Sequence, residues 1–308
     1  MRFAQAAGGR TRFRYALERR GVLAALLISP AVLFIGVLVG VPLVLAVYLS
    51  FTDATAGSLT GKWLGFDNFS NALHDQVFRE ALWHTFLFTV ISQAIVIVVA
   101  GLLAHALVRS FRGRWLIRFV ILLPWAAPIA LTAIGFLWFY DPQASIFTWI
   151  LEHVHLASKD NPPNWLGTPR AAMSSIITVQ AWRTVPFATV IFLAGVSSIP
   201  QEVDDAAAMD GATGLRKFWH VSLPLQLPIA LVAVLFGIVF TATDMVVPYI
   251  LTNGGPFNST QVLTTWAFQT GINAGNIGEG AAIALFMLPL LAVVVVGMLF
   301  FARRAEVT

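Results

Sequence analysis

From Val22 to about Leu49 the chain carries no charged side chain, and five further apolar runs follow. They extend from about Leu82 to Val108, Trp115 to Phe139, about Met173 to Val196, Leu225 to about Leu251, and Ala281 to Ala302. Each exceeds the roughly 20 residues with which an α-helix crosses a hydrocarbon core of about 30 Å. In lipid the backbone must satisfy its own N–H and C=O groups, which a helix does within one segment. The reading is an all-α polytopic membrane protein with six transmembrane helices. The chain is 58% hydrophobic and 11% charged, against about 25% charged in ordinary soluble domains. The first run is too long for a signal-peptide core of about 7 to 15 residues and is read as an uncleaved span.

Lysine and arginine give the orientation. Of the 19, 14 lie in the two termini, the Arg109–Arg118 turn and the Ser198–Pro224 loop. These parts are expected on the cytoplasmic side, because basic residues collect there. The expected organisation is a cytoplasmic basic segment over 1–21, a six-helix membrane domain over 22–302, and a cytoplasmic tail over 303–308. A net charge of +4 then reflects membrane topology, and no nucleic-acid partner is expected. Trp63, Trp83, Trp138, Tyr140, Trp149 and Trp165 gather toward the opposite face and read as an interfacial aromatic belt.

Several chemistries are excluded. Cysteine is absent, which removes thiolate ligands and nucleophiles. No Gly-x-x-x-x-Gly-Lys-Ser/Thr occurs, and the nearest imitation, Gly57 to Lys62, lacks both the spacing and the hydroxyl, so the chain has no P-loop nucleotide site. The six histidines have no metal-ligand spacing, and no Gly-x-Ser-x-Gly elbow accompanies them. Neither an enzyme, a metal site nor a bound cofactor is expected.

The polar interval Ser198–Pro228 between the fourth and fifth runs is the most structured loop in the sequence. Ser198 and Gln201 have capping-box spacing, and Glu202, Asp204 and Asp205 put negative charge at the positive end of a helix dipole. Gly211 and Gly214 supply the positive φ that ends a helix, and Pro224 is expected to restart the chain. Helices shorter than roughly 12 to 15 residues are marginal alone in water, so this pair needs a surface to pack on.

Within it, Asp205-Ala206-Ala207, Gly211 and Val221-Ser222-Leu223-Pro224 keep the spacing of a known pattern: Glu-Ala-Ala, three residues, Gly, nine residues, Ile-x-Leu-Pro. The stretch resembles the EAA loop of binding-protein-dependent ABC importer permeases, with Asp for Glu and Val for Ile. Ile199-Pro200, Met209-Asp210-Gly211-Ala212, Leu123-Pro124-Trp125, Trp182-Arg183, Pro186-Phe187 and Leu251-Thr252-Asn253-Gly254-Gly255-Pro256 are similar to the carbohydrate branch. The resemblance implies the type I importer permease fold, with Glu202, Asp205, Ala206, Ala207, Asp210 and Gly211 forming the coupling element against an ATPase. It also implies two ATP-binding partner subunits, a second homologous permease, an extracytoplasmic sugar-binding protein and the lipid bilayer of the cytoplasmic (inner) membrane. Arginine outnumbers lysine 16 to 3 and alanine is abundant, as in high-GC bacteria, which narrows the expectation to the mycobacterial trehalose-importing kind.

Two charges inside spans stand out, because charge in lipid is costly and usually faces a cavity or a partner. Arg183 and Phe187 are i, i+4 on the fourth run; Gly237, Phe240, Thr241 and Asp244 follow i, i+3, i+4, i+7 on the fifth. Each helix therefore has one polar or aromatic face, able either to line a path or to pack and pair. In the maltose-transporting members of the resembled family, sugar-holding residues lie on these two helices, and their places fall on Arg183, Thr184, Phe187, Gly237, Phe240, Thr241 and Asp244. The expected substrate is a disaccharide such as trehalose or maltose. Two alternatives stand: a glycerol-3-phosphate importer permease, in which Arg183 meets a phosphate, and a secondary transporter, in which Arg183 and Asp244 form a proton-linked pair.

Overall fold

The computed structural model describes residues 20–143, 145–158 and 162–305. Most of the basic segment expected over 1–21 therefore lies outside the described residues, as do 306–308 of the tail. In chain order the helices begin with α1 (Gly21–Ser50), α2 (Asp67–His74), α3 (Gln76–Val108), α4 (Arg114–Ala126), α5 (Ile129–Phe139) and α6 (Ile146–His153). There follow α7 (Pro169–Ser197), α8 (Gln201–Met209), α9 (Phe218–Ala242), α10 (Val246–Thr252), α11 (Leu263–Phe268) and α12 (Ile277–Arg303). Extended pairing among the described residues is limited to two isolated bridges, Thr52 with Trp63 and Thr55 with Ser58. Among the described residues five helices, α1, α3, α7, α9 and α12, are long and apolar enough to cross a membrane, and the bent pair α4 and α5 counts as a sixth candidate if taken as one span.

That break corrects the third run, expected as one helix from Trp115 to Phe139. α4 and α5 meet at 98°. Ala127, at φ −71 and ψ 139, holds the extended conformation that a residue before proline prefers. The fifth run also divides. α9 ends at Ala242 and α10 begins at Val246, because the Asp244 carboxylate accepts from the N–H groups of Val246 at 2.7 Å and Val247 at 3.3 Å. A carboxylate in that position caps a new helix instead of continuing the old one. At its other end α9 starts earlier than expected, and Pro224 does not restart the chain. A π-helical turn over Phe218–Ser222 carries the helix through, with the Leu223 N–H reaching the Phe218 carbonyl, a wider turn of the kind that interrupts α-helices locally.

Helices α3, α7 and α9 form the centre of the bundle. At the end remote from α8, Phe88, Met173 and Val179 pack with Phe136 of α5 and Val247 of α10. Toward α8 the lining changes to Ala100, Ala104, Ala181, Ala188 and Ala233, small side chains that let helix backbones approach closely. Of the expected aromatic belt, Trp63, Trp83, Trp138 and Trp149 are exposed, whereas Tyr140 is buried. Trp165 is half-buried and donates to Thr148 Oγ1 at 2.8 Å. These two rings belong to the core because the loop through α6 folds back over α7.

Most of α1 stands clear of the bundle, with nothing buried along its most apolar stretch. Its last turn is pinned by Asn68 of α2, whose amide donates to the Ser50 carbonyl at 2.9 Å and the Thr52 carbonyl at 2.8 Å. An Asn68→Leu substitution strands both buried acceptors and is expected to cost about 1–3 kcal/mol. Thermal unfolding of the purified protein in detergent should show a lower midpoint, and an unchanged midpoint would mean that α2 does not hold α1.

Candidate functional site

Helix α8 stands in the chain between α7 and α9. Ser198 does not open it. That residue is still helical, at φ −82 and ψ −10, so its hydroxyl points back and donates to the Gly195 carbonyl at 2.8 Å. α8 starts behind Pro200 without a side-chain cap. Its exit is well specified: Gly211 takes φ +73, the Ala212 N–H reaches the Ala207 carbonyl at 2.9 Å and the Gly211 N–H the Ala208 carbonyl at 3.0 Å. This is the paired bonding of a Schellman ending, which glycine permits at no steric cost.

The coupling residues divide by face. Ala207 is buried, whereas Glu202, Asp205, Ala206, Asp210 and Gly211 are exposed. Glu202, Asp205, Ala206 and Met209 stand at i, i+3, i+4 and i+7, one stripe of the helix. Met209 is 90% exposed; the sequence reading quoted it in the branch pattern but did not count it among the coupling residues, although an apolar side chain four residues after Asp205 was a readable signal. Gln201 donates to Asp205 Oδ1 at 3.2 Å. Asp204 pairs with Lys217 at 2.8 Å, tying α8 to the start of α9 through a surface contact worth about 0–1 kcal/mol.

The second group lies inside the bundle. Arg183 Nη2 meets Asp244 Oδ2 at 3.0 Å, with side-chain exposures of 14% and 3%. The guanidinium also donates to Gln180 Oε1 at 3.3 Å and lies 6.0 Å from the Trp125 ring centroid, within the range at which a ring face attracts a cation. Trp125 stacks on Phe187 at 4.9 Å and stands 5.7 Å from Phe240, and Phe187 and Phe240 are 5.5 Å apart. Arg183, Phe187, Phe240 and Asp244 are thus gathered around Trp125 of α4.

Gly237 and Thr241 form a layer behind them. Gln93 Nε2 donates to the Gly237 carbonyl at 2.9 Å and to Thr241 Oγ1 at 2.8 Å, and Gln180 Nε2 reaches the same hydroxyl at 3.2 Å. A Cβ at 237 would stand 2.2 Å from Gln93 Oε1, so a larger residue there would make the Gln93 amide swing away. Thr184 does not join either layer. It is fully buried and its hydroxyl donates to the Gln180 carbonyl of its own helix. Gln93 and Gln180 were missed in the sequence, where amides raise no charge signal. Gln93 Oε1, Ser92 Oγ, Thr89 Oγ1 and Arg183 Nε are buried with no hydrogen-bond partner, so the cluster has bonding capacity left beside an aromatic wall and a neutralised ion pair.

Comparison with known proteins bears on both groups. A family profile described as "Binding-protein-dependent transport system inner membrane component" matches residues 97–307, a stretch holding α8 and most of the buried cluster. The sulfoquinovosyl glycerol transport system permease protein of Agrobacterium fabrum is 30% identical over 270 residues, covering 87% of this chain and 86% of that protein. The trehalose/maltose transport system permease protein of Thermococcus litoralis is 29% identical over 267 residues, covering 87% and 89%. The crystal structure of a bacterial ABC transporter for import of the acidic polysaccharide alginate superposes at a TM-score of 0.79 with 19% identity, covering 95% of this chain and 99% of that one.

Proposed function

The chain belongs to the family of binding-protein-dependent transport system inner membrane components, a transport component and not an enzyme, and on that premise we propose that it is the permease half of an ATP-driven carbohydrate importer. The observation that carries this reading is α8. A helix of nine residues buries Ala207 alone, and it presents two carboxylates, an alanine and a methionine to whatever lies beyond. Its flanks run into α7, which carries Arg183 and Phe187, and into α9, which carries Phe240 and ends just before Asp244. Movement of an ATPase bound at α8 would therefore reach the buried cluster as a rigid-body shift of two helices. The partners proposed are two ATP-binding subunits, a second homologous permease and an extracytoplasmic sugar-binding protein. Both termini are assigned to the cytoplasmic side.

The substrate proposed is a neutral disaccharide such as trehalose or maltose. Relatives named for trehalose, maltose and a sugar-bearing glycerol support carbohydrate as the class. Within the cluster, Arg183 is already neutralised by Asp244, which leaves no free cation for a phosphate. Glycerol phosphate is for that reason the weaker alternative.

Affinity purification of the tagged chain from its native membrane in mild detergent tests the reading. An ATPase and a second permease should be recovered with it. Asp205→Arg should deplete the ATPase at least about tenfold, a loss of roughly 1.4 kcal/mol, with the second permease retained. If the unmodified chain came out alone, the secondary-transporter reading would take its place.

A further inference from the structure

Opposite the buried cluster, α7 carries a second feature with no part in transport as described. Arg170, Ser174, Thr178, Ala181 and Val185 recur at three- and four-residue spacing on one face, roughly the far side of the helix from Arg183 and Phe187. They line two adjoining lateral cavities of about 490 and 430 Å³, which share Ile95 and Thr178 and so form one groove. α3 supplies the other wall through His84, Leu87, Ile91, Ile95, Val99 and Leu103, and α4 closes the lower half with Val120 and Pro124.

The two ends of the groove differ in chemistry. From Leu87 downward the walls are largely apolar, with Ser174, Thr178 and Trp182 among aliphatic side chains. At the upper end, remote from α8, stand Arg170, His84 and Ser259. Arg170 is exposed and enters neither ion pair found among the described residues. His84 Nδ1 and Ser259 Oγ are buried with no hydrogen-bond partner. The nearby acid, Glu80, accepts from Gln76 Nε2 at 2.7 Å. A cation and two unused polar atoms at the head of an apolar track form an amphipathic site. Its depth also fits: from His84 to Ile95 a helix rises about 16 Å, close to half of a hydrocarbon core of about 30 Å.

We propose that this groove holds one anionic, glycerol-headed phospholipid of the leaflet opposite the coupling side. Its phosphate meets Arg170, its headgroup hydroxyls meet His84 and Ser259, and one acyl chain runs down between α3 and α7. Basic side chains next to apolar clefts recognise anionic headgroups by this combination of charge and burial. The bound lipid would act as a wedge on α7, the helix that links α8 to Arg183.

The test reads lipid and not uptake, so its outcome is independent of the carbohydrate reading. The full complex, purified in mild detergent and washed, is assayed for retained phosphatidylglycerol by mass spectrometry. About one molecule per chain is expected, falling at least about fivefold in Arg170→Glu and, separately, in Ile95→Trp, which fills the groove. Lys62→Glu, a basic residue outside the groove, should leave retention unchanged. The cysteine-free sequence makes Thr178→Cys a unique label, which added phosphatidylglycerol should protect from a lipid-soluble maleimide. Equal retention in all variants, or equal retention and protection by phosphatidylcholine, would overturn the proposal, as would crosslinking of Thr178→Cys to a partner protein in place of lipid protection.

Discussion

Arg183→Ala is expected to destabilise the protein by about 3–5 kcal/mol, the usual cost of leaving one member of a buried ion pair uncompensated. The Asp244 carboxylate is 3% exposed on its side chain, and its other oxygen already holds the first turn of α10. Loss of the guanidinium therefore leaves a charge that cannot move to water without unwinding that turn. The double variant Arg183→Gln with Asp244→Asn removes both charges, and asparagine keeps the helix cap. Its unfolding midpoint in detergent should return most of the way to that of the unmodified chain. Uptake of a radiolabelled disaccharide by the assembled complex in proteoliposomes should stay below about a tenth of normal, because the proposed path needs the guanidinium beside Trp125. Recovery of both stability and uptake would remove Arg183 from the path and leave the pair a structural one. Uptake that followed a proton gradient and ignored ATP would instead support the secondary transporter.

The double variant also separates what the sequence showed of this site from what it hid. Arg183 and Asp244 were readable because charge inside an apolar run is conspicuous, and the approximate places of the candidate passages were readable because length and hydropathy are enough for that. The breaks were not readable. Whether an apolar run stays helical turns on single dihedrals, such as that of Ala127 before Pro128, and on whether one carboxylate meets a side chain or a backbone. Asp244 does both: one oxygen pairs with Arg183 and the other ends the helix that the hydropathy of the run extends to Leu251. Gln93 and Gln180 escaped notice although an amide inside a span also needs a partner. Two glutamines at the depth of Arg183 were the available hint. The loop was more legible, since glycine at 211 has a purely local requirement for positive φ. Ser198 shows the limit of such rules, because the same hydroxyl can close the helix before it or cap the one after it. Backbone position decides which.

Gly280→Val is expected to rank among the most damaging single substitutions on α12. A Cβ at 280 would stand 2.3 Å from Gly271 Cα, 2.6 Å from its nitrogen and 2.9 Å from the Ala267 carbonyl, and at Gly278 a Cβ would lie 2.0 Å from the Thr52 carbonyl. Overpacking against side chains costs about 1–3 kcal/mol because those side chains can yield. Here the neighbours are backbone on both sides, so a helix or a turn must move, and the cost should reach or pass the top of that range. The displaced turn matters for transport as well. Gln269, which opens it, donates to the Asn253 carbonyl at 3.1 Å and to the Asn253 side chain at 3.0 Å, directly after α10, whose first turn rests on Asp244. A shift at Gly271 is therefore passed to the buried ion pair through one short helix. Gly297 supplies the control: it lies in the same helix with nothing within 4 Å of its would-be Cβ, so Gly297→Ala should gain roughly 0.5–1 kcal/mol from the lower flexibility of alanine. Unfolding midpoints of the two variants should thus move in opposite directions, with Gly280→Val also losing uptake at temperatures where it is still folded. A Gly280→Val protein that melted and transported like the unmodified chain would show that α12 is not docked by this contact and that Asp244 is positioned without it.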